Sequence, residues 1–340
     1  MSEELYAITG ATGALGSHIA EQLVSQGKRV RALVRPTSDT EYLSSIGVEL
    51  VEGDLNDAAS AQTLVSDATH VFHCAAKTDN WGSWDEYQRG NISTTRRIVD
   101  ACAAETGVKR LVHMSTVSVY GHPSPPAGKL VDEDAEIGQK PWIWDYYALS
   151  KIEAEKIVHE LGQRATIIRS TSFFGTRDMS FLPRLMRTIR KGGMWIFGSG
   201  DNLQNVMYVG DVAEMAIMAA ANEQAAGQTY NCCTGGEISQ RELIDSLCEA
   251  TNSPRVTRKL PRGFAHLVAF IFELGGKAVG KKETPKLTRH ALWVFVRPVH
   301  FSSEKAEREI GWKQNTSTRD GVQRTVDWLK SAAPDLFDAR

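Results

Sequence analysis

Tyr147 and Lys151 stand four residues apart, as Y-x-x-x-K, in a stretch with helical patterning. That spacing sets both side chains on one helix face. A phenol titrates near ~10 and is a poor proton donor or acceptor at neutral pH. A neighbouring ammonium and an oxidised nicotinamide would stabilise the phenolate and bring its pKa toward the working range. Y-x-x-x-K is common by chance, and Tyr146 next door leaves the register ambiguous, so a surface Tyr–Lys pair is the competing reading. Ser115-Thr116-Val117-Ser118-Val119-Tyr120-Gly121 sharpens the first one. A hydroxyl at the end of that strand can hold a carbonyl oxygen while Tyr147 delivers a proton; otherwise the cluster caps backbone groups.

Thr9-Gly10-Ala11-Thr12-Gly13-Ala14-Leu15-Gly16 follows an apolar run and opens a helical one. Glycines at three-residue spacing leave backbone N–H groups and a helix N-terminus open to a pyrophosphate. The strand–turn–helix context makes this a dinucleotide fingerprint. At the end of the second strand, where an NAD site places an acid, the chain has Val34-Arg35-Pro36-Thr37-Ser38, with no acid until Asp39. Arg35 can pair with a 2′-phosphate, which favours NADP over NAD; its other reading is a solvated surface arginine. Asp54-Leu55 closes the third strand, where Asp54 either binds the adenine amino group or caps the next helix. Glycine turn, hydroxyl cluster and Y-x-x-x-K come in the order a hydride-transfer site needs.

These residues need a scaffold, and the pattern supplies one. Leu5–Thr9, Val30–Arg35, Val48–Glu52, Thr69–Ala75, Arg110–Ser115 and Ala165–Arg169 read as strands. Ala14–Gln26, Trp84–Thr106 and Tyr146–Leu161 read as helices. Strand–helix alternation predicts a doubly wound α/β fold, a parallel sheet covered on both faces. We expect residues 1–170 to form this Rossmann domain, joined by parts of 195–233, where Thr229–Cys233 reads as a further strand. Residues 171–340 are expected to form mainly a smaller, mostly helical substrate-binding domain, with helices at Leu182–Lys191 and Asp211–Ala221. Asp211 and Glu214, three apart, suit a capping box at the start of the latter.

With these residues the chain resembles an extended short-chain dehydrogenase/reductase over nearly its whole length. The resemblance implies Tyr147 as acid/base, Lys151 as its activator and ribose ligand, and Thr116 as the third member, with Ser115 as the alternative. It implies that Ala75-Ala76-Lys77 line the cofactor and that Asn91 sits on the helix behind the site. Phe72–Gly82 and Pro285–Trp328 are similar to the 3β-hydroxysteroid dehydrogenase-like branch, which includes sterol-4-carboxylate dehydrogenases and 2-alkyl-3-oxoalkanoate reductases. That branch implies a small apolar hydroxy or keto substrate and, as the usual state, a homodimer. Arg169-Ser170 departs from its Arg-Pro, leaving open the shape of the loop Thr171–Asp178, expected to border the substrate. A nucleotide-sugar epimerase or dehydratase is the nearest rival; Ser172 stands where such enzymes commonly carry Asn. A non-catalytic NADP sensor is disfavoured by the Tyr/Lys pair.

The 340 residues suggest two packed units. A net charge of -2 supplies no basic field for nucleic acid. Five cysteines without framework spacing and an N-terminus without a signal core point to the cytoplasm. No Cys/His spacing supports a metal site. Trp81 and Trp84 either line the substrate pocket or pack their loop. Phe264, Leu267, Val268, Ile271 and Leu274 form an apolar stripe at helical spacing, flanked by basic residues. Its helix either covers the substrate pocket, the favoured reading, or makes a peripheral membrane contact.

Overall fold

A computed structural model describes residues 4–126, 128–140 and 142–337. The first half alternates β1 (Leu5–Thr9), α1 (Ala14–Ser25), β2 (Arg29–Val34), α2 (Glu41–Ser45), β3 (Glu49–Glu52), α3 (Ala58–Val65) and β4 (His70–His73). It continues through α4 (Trp84–Tyr87), α5 (Thr94–Ala104), β5 (Arg110–Thr116), α6 (Tyr146–Val158) and β6 (Ala165–Ser170). The second half holds β7 (Ser172–Phe174), α7 (Phe181–Arg190), β8 (Ile196–Phe197), β9 (Val206–Tyr208), α8 (Val209–Ala221) and β10 (Thr229–Cys232). It ends with α9 (Gln240–Ala250), β11 (Lys259–Leu260), α10 (Arg262–Ala278), α11 (Arg289–Val296), α12 (Glu304–Ile310) and α13 (Thr318–Ala332).

Seven strands form one sheet in the order β10-β6-β5-β4-β1-β2-β3, every pairing parallel. This is the Rossmann-like, doubly wound arrangement. The strands read as apolar runs because both faces are buried, and successive residues feed opposite layers. Ile8, Phe72, Val112 and Ile168 pack on one side with Ile19 and Leu23 of α1 and Val212 and Ala216 of α8. Ala7, Val71, Leu111 and Ile167 pack on the other with Leu64 of α3, Ile98 of α5 and Val158 of α6. Order reverses between β1 and β4, which opens the crevice at their carboxyl ends where such sheets bind ligands. A separate core joins α7, α9, α10, α11 and α13.

Three local expectations are corrected. Trp84–Thr106 is not one α-helix: a π-helical stretch, Gln88–Ser93, separates α4 from α5. The Thr94 hydroxyl back-bonds to the Gly90 carbonyl and that of Thr95 to the Asn91 carbonyl, competing with the regular ladder there. Asp211 and Glu214 make no capping box, because α8 starts two residues earlier, directly after β9. Asp211 instead accepts the Thr316 amide at 3.0 Å. Asp54 does not cap the following helix either: Asp57 does, accepting the Ala59 and Ser60 amides.

Candidate active site

The glycine turn bends away from β1 at Gly10, whose φ is +70°. A Cβ there would stand 2.7 Å from the Ala75 nitrogen, so this glycine also permits the close approach of the segment after β4. A Cβ on Gly16 would collide with the Gly10 carbonyl, which holds α1 tight against the turn. Gly13 takes the N-cap position with no side-chain cap, and the first turn of α1 carries no acid. Its N–H groups and positive dipole end thus meet no competing protein anion.

A cavity of about 820 Å³ lies over this turn. Its lining includes Gly10, Thr12, Gly13, Ala14, Leu15, Gly16, Arg35, Asp54, Leu55, Ala75, Ala76, Lys77, Tyr147 and Lys151. The positions singled out for a dinucleotide therefore meet in one space. Arg35 is exposed and makes no ion pair among the described residues, whereas Lys77 is already paired with Asp79 at 2.8 Å. An uncapped helix end, an unpaired guanidinium and a buried ammonium suit a pyrophosphate-bearing cofactor.

Lys151 is 2% exposed. Its ammonium donates to the Met114 carbonyl at 2.7 Å and contacts Nε2 of His113 at 3.1 Å, leaving one of three N–H groups for a ligand. Burial lowers its pKa to about 8, against the pull of the Glu155 charge. Burial likewise keeps His113 neutral, with the Lys151 charge adding to the effect. Burial pushes the Tyr147 phenol up to about 12; a hydrogen bond with the Thr116 hydroxyl opposes this and the Asp145 charge adds to it. The lowered phenol pKa expected from Lys151 and an oxidised nicotinamide together is thus not what the protein by itself produces.

Two hydroxyls end β5, and their surroundings separate them. Ser115 donates to Glu155 at 2.5 Å, and Glu155 is clamped by Arg169 through bonds of 3.0 and 2.7 Å. Ser115 thereby belongs to a buried ion-pair network while still lining the larger cavity, which Thr116 does not. Thr116 faces Tyr147 and accepts the Ser118 amide at 3.2 Å. Asn91, on the π-helical stretch, accepts the Lys77 amide at 2.6 Å and donates to the Ser150 hydroxyl at 2.8 Å. A π-turn re-aims such a side chain by one residue's rotation.

A second recess opens on the far side of Tyr147. Trp81, Trp142, Trp144, Asp145, Lys277 and His290 are among its walls. Among the described residues, Tyr147 alone lines both spaces. The His290 ring stands edge-on to that of Tyr147 at 5.9 Å, with Nδ1 3.7 Å from Asp145. Trp81 belongs to the wall, donating to the Lys281 carbonyl at 2.8 Å; Trp84 does not, and packs edge-on against Tyr146.

Glu273 of α10 accepts both the backbone amide and Nε of Arg289, each at 2.7 Å. Arg289 in turn donates to the Ile143 carbonyl at 3.0 Å, so α10, α11 and the segment before α6 close this recess together. Sequence reasoning missed Trp142, Asp145, Arg289 and His290, which come from the segment before α6 and the first turn of α11. The loop Thr171–Asp178 borders the larger cavity through Phe173, Arg177 and Asp178, and Arg177 pairs with Glu21 of α1 at 2.6 Å.

Comparison with known proteins agrees with this geometry. Residues 6–233 match the model of the NAD dependent epimerase/dehydratase family. A 2-alkyl-3-oxoalkanoate reductase of Stenotrophomonas maltophilia is 30% identical, the match covering 93% of this chain and 97% of the relative. Mus musculus sterol-4-alpha-carboxylate 3-dehydrogenase, decarboxylating, is 26% identical over 94% of this chain and 89% of its own. Among solved structures, gox2253 superposes with a TM-score of 0.79 at 28% identity, over 98% of this chain and 99% of that one.

Proposed function

The chain belongs to the NAD dependent epimerase/dehydratase family and is a dehydrogenase/reductase, and on that premise we propose an NADP-preferring enzyme that interconverts a secondary alcohol and a ketone on an apolar substrate. The observation that carries this reading is the position of Tyr147 between the two spaces. The tryptophan-walled recess holds only about 20 Å³, so it has to widen for a ketone, which would then meet the phenol on one side and the dinucleotide cavity on the other.

The dinucleotide, when bound, supplies or accepts hydride at its nicotinamide. The pyrophosphate would be held by the Gly10–Gly16 turn and the start of α1, and a 2′-phosphate by Arg35. In the reductive direction Tyr147 gives its proton to the ketone oxygen, and the Thr116 hydroxyl bonds to the same oxygen. The third N–H of Lys151 fixes the ribose, and its positive charge favours the phenolate left behind. His290, beside the phenol and held near Asp145, positions polar atoms next to the reacting carbon. Arg35, exposed on the cavity wall and without an ion pair among the described residues, supports NADP over NAD.

Loss of NADPH absorbance on mixing pure protein with 2-alkyl-3-oxoalkanoates, 3-keto steroids and nucleotide-keto-sugars, with NADH in parallel, tests the proposal. Consumption with an apolar ketone is expected. Turnover of a nucleotide-sugar without net NADPH loss would replace it with an epimerase.

A further inference from the structure

Exposed apolar side chains gather on one face of this protein. Of the ten large hydrophobic residues that stand most open to solvent, six lie within 264–279: Phe264, Leu267, Ile271, Phe272, Leu274 and Val279. Ile143, 62% exposed, joins them, since Arg289 ties its carbonyl to the base of α10. Phe264, Leu267, Ile271 and Leu274 recur at three- and four-residue steps, along one side of the helix. The opposite side, through Ala265, Ala269, Glu273 and Gly276, is buried and closes the substrate recess. The apolar stripe therefore does not cover the pocket. Its helix does, with its other face, and the stripe is left pointing outward.

The charges around it have one sign. Residues 255–286 hold eight basic and two acidic side chains, and one of those acids, Glu273, is consumed by Arg289. Lys259 and Arg262 at one end of α10, and Lys281 and Lys282 beyond the other, make no ion pair among the described residues. This segment carries +6 in a chain whose net charge is -2. A convex apolar ridge with unpaired cations at both ends matches a flat, negatively charged surface with an apolar interior. A protein groove would need complementary acids at the same spacing, and no described segment of this chain lies over the ridge.

We propose that the outer face of α10, together with Ile143, docks on an anionic lipid surface and sets the mouth of the substrate recess against it. Ile143 and Trp144 line that recess, so an apolar substrate dissolved in the lipid reaches Tyr147 without crossing water. The docking itself goes beyond the reductase reading and is scored without turnover, so either can fail alone. No helix among the described residues is long and apolar enough to cross a membrane, and contact of this kind needs none.

Cosedimentation of the full chain with phosphatidylglycerol/phosphatidylcholine vesicles tests it, with pure phosphatidylcholine vesicles and high salt as comparisons. Binding is expected on the anionic vesicles at low salt, weakened on neutral vesicles and at ~0.5 M salt, where charges are screened within a few ångströms. The double variants Leu267→Glu/Ile271→Glu and Lys281→Glu/Lys282→Glu should each lose most of it while keeping the parental melting temperature, since all four side chains are exposed. No binding to anionic vesicles, or binding undiminished in both variants, would overturn the proposal. So would a dimer in buffer that Leu267→Glu/Ile271→Glu dissociates, which would assign the face to a second copy.

Discussion

The side chain of Asn91 donates to the Ser150 hydroxyl while accepting the Lys77 amide, so one buried amide joins the loop lining the dinucleotide cavity to the helix that carries Tyr147 and Lys151. Ser150 passes the link on to the Tyr147 carbonyl at 2.8 Å. Asn91→Leu keeps the volume but takes the Asn91 partner from both the Lys77 amide and the Lys77 carbonyl, while Ser150 keeps its bond to the Tyr147 carbonyl. It should cost about 2–4 kcal/mol, as two buried polar groups lose partners. The melting temperature checks this, and an unchanged value would show that the bridge does not contribute to stability.

Tyr147→Phe removes the hydroxyl of the residue that, among the described residues, alone lines both spaces. Turnover should fall on the order of 10²–10⁴-fold, the usual worth of a positioned acid. Affinity for NADPH, measured by fluorescence titration, should hardly change, because phenylalanine keeps the packing. Retained turnover would move the acid role to another residue.

Arg35→Ala should weaken NADPH binding about 10–100-fold and leave NADH nearly untouched, the scale of one charged hydrogen bond to a phosphate. Parallel titrations with the two cofactors read this out directly. Equal losses would place Arg35 on the surface with no part in cofactor choice.

Lys151 gives a pH-dependent prediction. Its pKa stands near 8 in the folded chain and at ordinary lysine values, near ~10.4, when unfolded. Below pH 8 both states carry the proton and the folded state bears the full cost of a buried charge. Between the two values the unfolded chain binds more protons, so stability recovers as pH rises. Lys151→Met should therefore gain stability relative to the cofactor-free parent below pH 8, less the lost bonds to Met114 and His113, with the gain shrinking from pH 8 to above ~10. Denaturation midpoints across that range test it. The same variant should lose NADPH affinity.

The parts legible in the sequence were those whose geometry is local. A strand, a glycine turn and a helix N-terminus are contiguous at Thr9–Gly16, and a four-residue step fixes the Tyr147–Lys151 face whatever surrounds it. The reading of Asp211 failed because an acid pair three residues apart does not itself start a helix; the end of β9 did. The π-helical turn at Asn91 left no periodic trace, since it costs one residue of register inside an otherwise helical pattern. Trp142, Asp145 and His290 were beyond reach for another reason: they meet only when α11 and the segment before α6 are brought together by the Glu273–Arg289 clamp. Thr116 and Ser115 were separated by their hydrogen bonds, which assign Ser115 to Glu155.

The seventh strand has a consequence for how this chain is made. β10 pairs with β6, yet β7, α7, β8, β9 and α8 intervene between them. During synthesis the edge of β6 stays unpaired until residue 232 has emerged, and all six of its residues are ones the finished fold buries. The nascent protein therefore passes through a long interval in which its sheet can recruit a foreign strand. A fragment cut after Ser170 would remain in that state, and should aggregate where the whole chain folds.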